Sequence, residues 1–175
     1  MIRREIPFGK FLVKPHDLWG RQSMLLTSGD FKKRDFNTMT VGWGSFGTMW
    51  QLPFAQAVVR PTRHTFEFME RHNSFTLCAF PREYREKLTL LGTKSGRDGD
   101  KIAEAGLTPI PSKTIDAPGF EEAELIIECR KIYWDDMQPD RFLHPSTESH
   151  YPAKDYHRIY FGEIRAVYGS DLYSA

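Results

Sequence analysis

Two arginines flank a point where a predicted strand meets a predicted helix, in the stretch VVRPTRHT, residues 58–65. Pro61 ends the strand, and the helix is predicted to begin near Thr62, whose side chain can cap it. The first backbone N–H groups of a helix lack internal partners and attract anions, and Arg60 and Arg63 add guanidinium groups that suit phosphate. The stretch therefore indicates a phosphate site, and the alternative is an ordinary helix cap with two solvated arginines.

A second candidate for contact with phosphate is the polar stretch TKSGRDGDK, residues 93–101. Ser95 and the backbone after it could form a concave group of hydrogen-bond donors, and Arg97 or Lys101 could supply positive charge. The alternative is an exposed turn, which the two aspartates of the stretch favour.

The glycine-rich stretch GWGSFG, residues 42–47, fits the G-x-G-x-x-G fingerprint of dinucleotide-binding domains. That fingerprint needs a helix that starts within it and an acidic residue about twenty positions later. Here TMWQLPFAQAVV follows the glycines and RPTRHT stands where the acidic residue is needed, so a Rossmann domain is rejected. Glycine is retained in a strand where another group approaches the backbone or where the strand bends. Gly42 and Gly44 therefore indicate either a ligand against this strand or the corner of a barrel.

Other reactive side chains predict no further chemistry. Trp43 occupies the position where the nucleophile elbow of a hydrolase needs glycine, so Ser45 is not predicted to be a nucleophile. Three histidines and an aspartate lie within residues 144–157, but loop and surface histidines are commoner than metal ligands, and no metal site is predicted. Cys78 and Cys129 lie in apolar runs and are predicted to be buried, reduced thiols, although the sequence alone leaves a disulfide open.

The composition argues against several classes of function. The net charge of +1 gives no electrostatic attraction to nucleic acid or to an anionic membrane. The first residues are charged and interrupted by proline, unlike a signal peptide, and no segment is long and apolar enough to span a bilayer. We expect a soluble, cytoplasmic protein that binds neither nucleic acid nor membrane.

The elements that must position these residues are mostly strands. Predicted strands cover residues 24–27, 37–47, 53–60, 74–81, 124–134 and 155–168, and predicted helices cover 62–72, 82–91 and 101–105. Strict alternation of strands and helices is absent, so a parallel sheet is not expected. We predict a single domain over residues 1–175 that is mainly β, a closed or nearly closed antiparallel barrel with peripheral helices.

Two phosphate candidates and one open strand together suggest a flat, phosphorylated ligand along residues 37–47. Four stretches, in this order, resemble the flavin reductase-like family with its FMN-binding split β-barrel: NTMTVGWGSFG, RPTR, SGRDGDK and DYHRIYFGEI. The resemblance spans about residues 20–168, and the aromatic GWG…MW variant is most similar to the flavoredoxin branch. It implies a homodimeric Greek-key split β-barrel with FMN bound near the subunit interface.

The resemblance also implies which residues hold the cofactor. The residues expected to line the flavin, largely through backbone groups, are Asn37, Thr38, Met39 and Thr40. The residues expected to hold its phosphate are Arg60, Thr62, Arg63, Ser95 and Lys101. Ser45 is also placed among the cofactor-binding residues, and His157 is expected near the flavin ring or the nicotinamide site. Trp43 and Trp50 either wall the ring or pack in the core or a dimer interface.

An FMN-dependent oxidoreductase is the function that this resemblance implies. Hydride would pass from NAD(P)H to the flavin, and electrons would then pass to a small molecule or a redox partner protein. Backbone N–H groups of residues 38–41 would stabilise the charge on the reduced flavin. Two alternatives stay open: an FMN-binding barrel without NAD(P)H turnover, and a barrel that binds no flavin and serves as an interaction module.

Overall fold

The computed structural model describes residues 2–175, and its main feature is an antiparallel sheet. Its strands are β1 (Arg4–Glu5), β2 (Met24–Asp30), β3 (Asp35–Val41), β4 (Gly44–Met49), β5 (Leu52–Val59), β6 (Ser74–Ala79), β7 (Pro109–Ile110), β8 (Gly119–Phe120), β9 (Leu125–Asp136) and β10 (Arg158–Gly169). Its helices are α1 (Pro15–Asp17, continued by a π-helical turn at Leu18–Gln22), α2 (His64–Arg71), α3 (Arg85–Thr93) and α4 (Lys101–Glu104). No helix in the described range is both long and apolar enough to cross a membrane. The predicted class, mainly β with peripheral helices, is confirmed.

The order of the strands requires the sheet to close on itself. Hydrogen bonds link the strands in the order β3-β2-β6-β9-β10-β5-β4, and β1 pairs with the far end of β10. β3 and β4 therefore lie at opposite edges of the sheet, yet only Gly42 and Trp43 separate them in the chain. Three Cα–Cα steps span at most about 11 Å, so the two edges meet. No hydrogen-bonded ladder joins β3 to β4 within residues 2–175, and the barrel is split along this seam.

β4 and β5 form the hairpin that the sequence predicts. β4 pairs along its whole length with residues 52–57 of β5, and the turn residues Trp50 and Gln51 both have positive φ, 52° and 62°. A two-residue turn with positive φ has the twist that matches paired strands. The predicted strand over residues 37–47 is instead two strands, because the chain passes from one edge of the sheet to the other at Gly42 and Trp43.

Apolar clusters lie on both faces of the sheet. Leu26, Val59 and Phe75 are among the side chains that fill the barrel, and a second cluster packs the outer face of β2, β6 and β9 against α3 and α4. Cys129 belongs to the first cluster and Cys78 to the second, and neither is in a disulfide. Burial raises the pKa of the Cys78 thiol to about 12. The prediction of buried, reduced thiols is confirmed.

The observed elements differ from the predicted ones mainly at helix starts and in the shortest strands. α2 begins at His64 because Arg63 still has an extended backbone, and α3 begins only after a 3-10 turn at Arg82–Tyr84. The sequence does not predict β1, β7 or β8, since two-residue strands are too short to show an alternating pattern. Residues 137–157, hereafter the β9–β10 segment, contain 3-10 turns but no strand, so β10 begins at Arg158 and not at residue 155 as predicted.

Candidate functional site

The predicted strand-to-helix junction lies between β5 and α2. Pro61 follows the end of β5, and the amide of Arg63 donates to the carbonyl oxygen of Arg60 at 3.0 Å, so the chain turns before α2 begins. Arg63 occupies the N-cap position, and no side chain caps the helix. The predicted cap at Thr62 is therefore wrong. The Thr62 hydroxyl instead donates to the carboxylate of Asp155, at 3.4 Å, on the β9–β10 segment.

Two cations lie beside the C-terminal end of α3. Lys101 is 4% exposed, and its Nζ donates to the carbonyl oxygens of Leu91 at 2.8 Å and Lys94 at 3.0 Å. The guanidinium of Arg63 donates to the carbonyl oxygen of Gly92 at 3.3 Å. Burial, with the nearby charge of Arg63, lowers the pKa of Lys101 to about 8. Arg63 and Lys101, hereafter the cation pair, have no carboxylate partner within residues 2–175, so their charge suits an external anion.

The stretch around Ser95 lies against the N-terminal end of α2. The Oγ of Ser95 accepts a hydrogen bond from the amide of Arg97 at 3.2 Å, which closes a short turn. A Cβ at Gly96 would lie 2.3 Å from Oδ1 of Asn37 and 2.9 Å from Nδ1 of His64, so only glycine allows this approach. Arg97 donates to a carbonyl oxygen of the β5–α2 turn at 3.4 Å. The two stretches predicted to contact phosphate therefore meet in space.

β3 runs beside this region with one edge open, because it pairs only with β2. Every second residue of such a strand directs its backbone N–H and C=O away from the partner strand. The side chains of the four predicted flavin-lining residues are held by the protein itself. Asn37 donates to Thr65 at 2.8 Å, Thr38 to a carbonyl oxygen of β2 at 3.1 Å, and Thr40 to a carbonyl oxygen of α3 at 2.5 Å, while Met39 packs on the barrel core. What β3 offers to a ligand is therefore its backbone.

Arg60 is held by the β9–β10 segment. Its guanidinium forms an ion pair with Asp155 at 2.7 Å and donates to the carbonyl oxygen of His150 at 2.8 Å. It also lies over the ring of Tyr151, 5.0 Å from the centroid. The hydrogen bond from Arg60 lowers the pKa of the Asp155 carboxyl. Arg60 thus anchors the β9–β10 segment to the end of β5, next to the cation pair.

His157 and Trp43 lie together at the seam of the barrel. The ring centroids of His157 and Trp43 are 5.1 Å apart, and the indole also contacts His150 at 5.5 Å. Trp43 is 46% exposed, so it forms a flat wall at the surface and is not a core residue. Burial, with the charges of Arg60 and Arg63, lowers the pKa of His157 to about 4. The imidazole is therefore uncharged at neutral pH.

Ser45 and Trp50 belong to the β4–β5 hairpin, and their observed partners lie outside the cation pair. The hydroxyl of Ser45 donates to the side-chain carbonyl oxygen of Gln56 at 2.9 Å, across the β4–β5 ladder. Trp50 is 60% exposed at the tip of the hairpin and packs on Tyr133, with ring centroids 6.0 Å apart. Of these two tryptophans, for which the sequence leaves open a wall of the ring or packing in the core or an interface, Trp43 contacts His157 and Trp50 contacts Tyr133.

Gly42 and Gly44 mark a bend that the protein fills with its own side chain. A Cβ at Gly44 would lie 2.2 Å from the carbonyl oxygen of Gln56 and 2.4 Å from the indole of Trp19. A Cβ at Gly42 would lie 3.3 Å from the carbonyl oxygen of Trp19. Of the two explanations that the sequence allows, these contacts favour the barrel corner at Gly44, whereas the space at Gly42 is tight but less restrictive.

Tyr151 belongs to this site, although the sequence does not single it out. Its hydroxyl lies 2.8 Å from Nδ1 of His157. A tyrosine in a polar, proline-containing segment gives no pattern that would indicate such a partner. Among residues 2–175, no group of three or more His, Cys, Asp or Glu side chains is arranged to hold a metal ion.

Comparison with known proteins places these features in a family. The family described as "Flavin reductase like domain" matches residues 20–173. Flavoredoxin of Desulfovibrio vulgaris (Miyazaki F) is similar in structure, with a TM-score of 0.66 and 24% identity over 86% of this chain and 70% of that chain. An FMN-binding domain of a flavin reductases-like enzyme from Shewanella baltica has a TM-score of 0.70 and 15% identity, over 96% of this chain and 77% of that chain.

A curated relative, an uncharacterized protein of Pyrococcus abyssi, is 26% identical over 117 residues, which is 65% of this chain. The match spans 56% of the length of that relative. The family match extends over nearly the whole barrel and includes β3, the cation pair, Ser95 and His157. The chain belongs to the flavin reductase-like domain family, with a split β-barrel fold.

Proposed function

We propose that the protein is an FMN-binding flavoprotein and an FMN-dependent oxidoreductase that takes electrons from NAD(P)H. The observation that carries this proposal is the cation pair without carboxylate partners, set beside the open backbone edge of β3. A flavin mononucleotide combines a phosphate dianion with a flat ring that carries several hydrogen-bonding groups. The site has a matching element for each part.

The phosphate would be held by Arg63 and Lys101, with the hydroxyl of Ser95 and backbone donors near Thr62 and Ser95. The ring would bind along residues 37–40 through backbone groups, with Trp43 as a flat wall. When bound, the flavin supplies the hydride and electron transfer chemistry. His157, with its pKa lowered to about 4, stays uncharged at neutral pH, so it can donate a hydrogen bond but does not supply a proton.

The names of similar proteins agree with this proposal. The Shewanella baltica structure is described as an FMN-binding domain, and the Desulfovibrio vulgaris structure as a flavoredoxin. The second candidate is an FMN-binding protein without NAD(P)H turnover. It is favoured by the β9–β10 segment, because Arg60 anchors this segment beside Trp43, where it limits the room for a second large ligand. A cytoplasmic location and a redox partner protein stay predictions.

The purified protein is expected to be yellow, with a flavin spectrum and FMN as the chromophore released on denaturation. Anaerobic addition of NADH or NADPH is then expected to bleach the absorbance at a catalytic rate. An intact flavin spectrum after both additions would instead support the second candidate. A colourless protein that also fails to take up added FMN contradicts both and leaves the interaction module.

We also propose that the protein is a homodimer with the flavin near the interface. A row of aromatic contacts links β4, β5, β9 and β10 near the tip of the β4–β5 hairpin: Trp50 contacts Tyr133, Tyr133 contacts Phe161, and Phe161 contacts Phe54. Trp50 and Tyr133 are both exposed. Neighbouring exposed aromatic side chains of this kind are typical of an interface.

Charge on this aromatic surface is expected to separate the subunits. Replacing Trp50 and Tyr133 together by Glu should halve the molar mass measured by light scattering, because two carboxylates would be buried without partners. Leu172→Glu, which changes an exposed leucine elsewhere, should keep the wild-type mass. A wild-type protein with the mass of one chain would contradict the homodimer.

A further inference from the structure

In the β9–β10 segment, Tyr151 lies between the guanidinium of Arg60 and the imidazole of His157. Arg60 fixes the segment through its ion pair with Asp155 at 2.7 Å. The Arg60 guanidinium lies 5.0 Å from the centroid of the Tyr151 ring, and Phe142 stacks on the same ring with centroids 5.8 Å apart. Tyr151 is therefore fixed by packing and is not a mobile surface tyrosine.

Tyr151 and His157 share a buried hydrogen bond. The two residues are 3% and 9% exposed, and the phenol oxygen lies 2.8 Å from Nδ1 of the imidazole. The same oxygen lies 3.2 Å from Sδ of Met137. A thioether sulfur is a weak acceptor, whereas the unprotonated nitrogen of a neutral imidazole is a strong one. The hydroxyl of Tyr151 therefore donates to Nδ1, and the ring proton is on Nε2.

The groups around His157 keep its imidazole ring uncharged. The charged groups that face the ring are Arg60 and Arg63, from the end of β5 and the turn after it, and Asp155, from the β9–β10 segment. Burial is the main cause that lowers the pKa of His157, and the two arginines lower it further. Asp155, whose charge acts in the opposite direction, is already paired with Arg60. Nε2 of His157 has no hydrogen-bond partner in the described part of the chain. The ring thus retains one uncharged N–H that the protein does not use.

We propose that Tyr151 is a positioning residue: by donating to Nδ1 of His157 it fixes the Nε2–H form, which donates to a carbonyl oxygen of a ligand bound against Trp43. This rests on the proposed function, because the carbonyl belongs either to the flavin ring or to the carboxamide of the nicotinamide donor. An uncharged donor suits an uncharged carbonyl, and it avoids a third positive charge beside two arginines.

The position of the ring proton can be measured directly. Long-range ¹H–¹⁵N correlation spectra of the purified protein distinguish the two neutral forms of histidine, and His157→Gln identifies the signal. We expect the Nε2–H form in the wild type and a mixture of both forms in Tyr151→Phe. Tyr156→Phe is the matched control, because its hydroxyl donates to Glu148 at 2.7 Å in the same segment, and it should keep the wild-type signal. An Nδ1–H form in the wild type, or an unchanged signal in Tyr151→Phe, overturns the proposal.

The ligand is tested by binding and kinetics on the same two variants. Loss of one neutral hydrogen bond lowers affinity by about three- to tenfold. A rise in the Kd for FMN in Tyr151→Phe, but not in Tyr156→Phe, assigns the carbonyl to the flavin. A rise in the KM for NAD(P)H with an unchanged Kd for FMN assigns the carbonyl to the electron donor. No change in the Kd or the KM overturns the ligand role.

A wild-type protein that binds no FMN defeats the proposed function and the ligand role together, while the spectra still decide the form of His157.

Discussion

Replacing Arg63 by Gln is expected to weaken FMN binding by about 10- to 100-fold, while riboflavin binding changes less than about twofold. Riboflavin has the same ring without the phosphate, so the comparison isolates the phosphate contact. Arg63 has a backbone carbonyl as its partner and no carboxylate within residues 2–175, so its charge is available to an anion. A hydrogen bond to a charged group contributes about 1.5–3 kcal/mol, roughly twice a neutral one. Fluorescence titration of both flavins measures the effect.

The pH dependence of FMN binding follows from Lys101, the other member of the cation pair. Its pKa is lowered to about 8 by burial and by Arg63, so Lys101 begins to lose its proton as the pH rises through 8. A bound phosphate favours the charged lysine and raises its pKa again. FMN affinity in the wild type should therefore fall between pH 7 and pH 9, whereas riboflavin affinity should not follow this change.

Arg71→Gln is the matched control for Arg63→Gln. Arg71 is the last residue of the same helix, where it forms an ion pair with Asp35 at 3.4 Å. Its loss should leave FMN and riboflavin binding unchanged. Arg60→Gln should weaken FMN less than Arg63→Gln does, because Arg60 is engaged by Asp155. An equal loss of FMN and riboflavin in Arg63→Gln would show that the arginine supports the fold and not the phosphate.

The strands that form the sheet could largely be predicted, because each has a local pattern. Apolar runs and alternation indicate β2, β5, β6, β9 and β10, and the turn before Pro53 indicates the β4–β5 hairpin. The seam could not be predicted. Residues 37–47 have the composition of one strand, and only the order of all the other strands shows that Gly42 and Trp43 join two opposite edges.

The parts of the candidate site that lie in short sequence motifs could be predicted. Contacts between residues far apart in the chain could not. The two stretches that contain Arg63, Ser95 and Lys101 are each predicted to contact phosphate, and the structure places these stretches side by side. The partner of Arg60 is Asp155, 95 residues away, and no pattern in either segment indicates this ion pair. The helix start at His64 could not be predicted either, because Thr62 is a good cap by type but its hydroxyl has a partner across the fold.

Replacing Gly44 by Ala is expected to destabilise the protein by about 3 kcal/mol, and the cause lies inside the barrel. The added Cβ would lie 2.2 Å from the backbone oxygen of Gln56 and 2.4 Å from the indole of Trp19. A long side chain could rotate away, but a backbone oxygen in the β4–β5 ladder moves only if the strands separate. Urea denaturation followed by circular dichroism measures the loss, which corresponds to a fall in Tm of roughly 6–12 °C for a chain of this size.

The same substitution decides between the two explanations of the glycine-rich stretch. If Gly44 were retained for the approach of a ligand, Ala would weaken FMN binding and leave the free energy of unfolding unchanged. If Gly44 is needed at the corner of the barrel, Ala lowers the free energy of unfolding, and the fraction that stays folded binds FMN with nearly the wild-type affinity. Gly20→Ala is the control, because a Cβ there meets nothing within 4 Å and Gly20 lies in the turn that carries Trp19. It should stay within about 0.5 kcal/mol of the wild type, since substitutions that meet no other group have small effects.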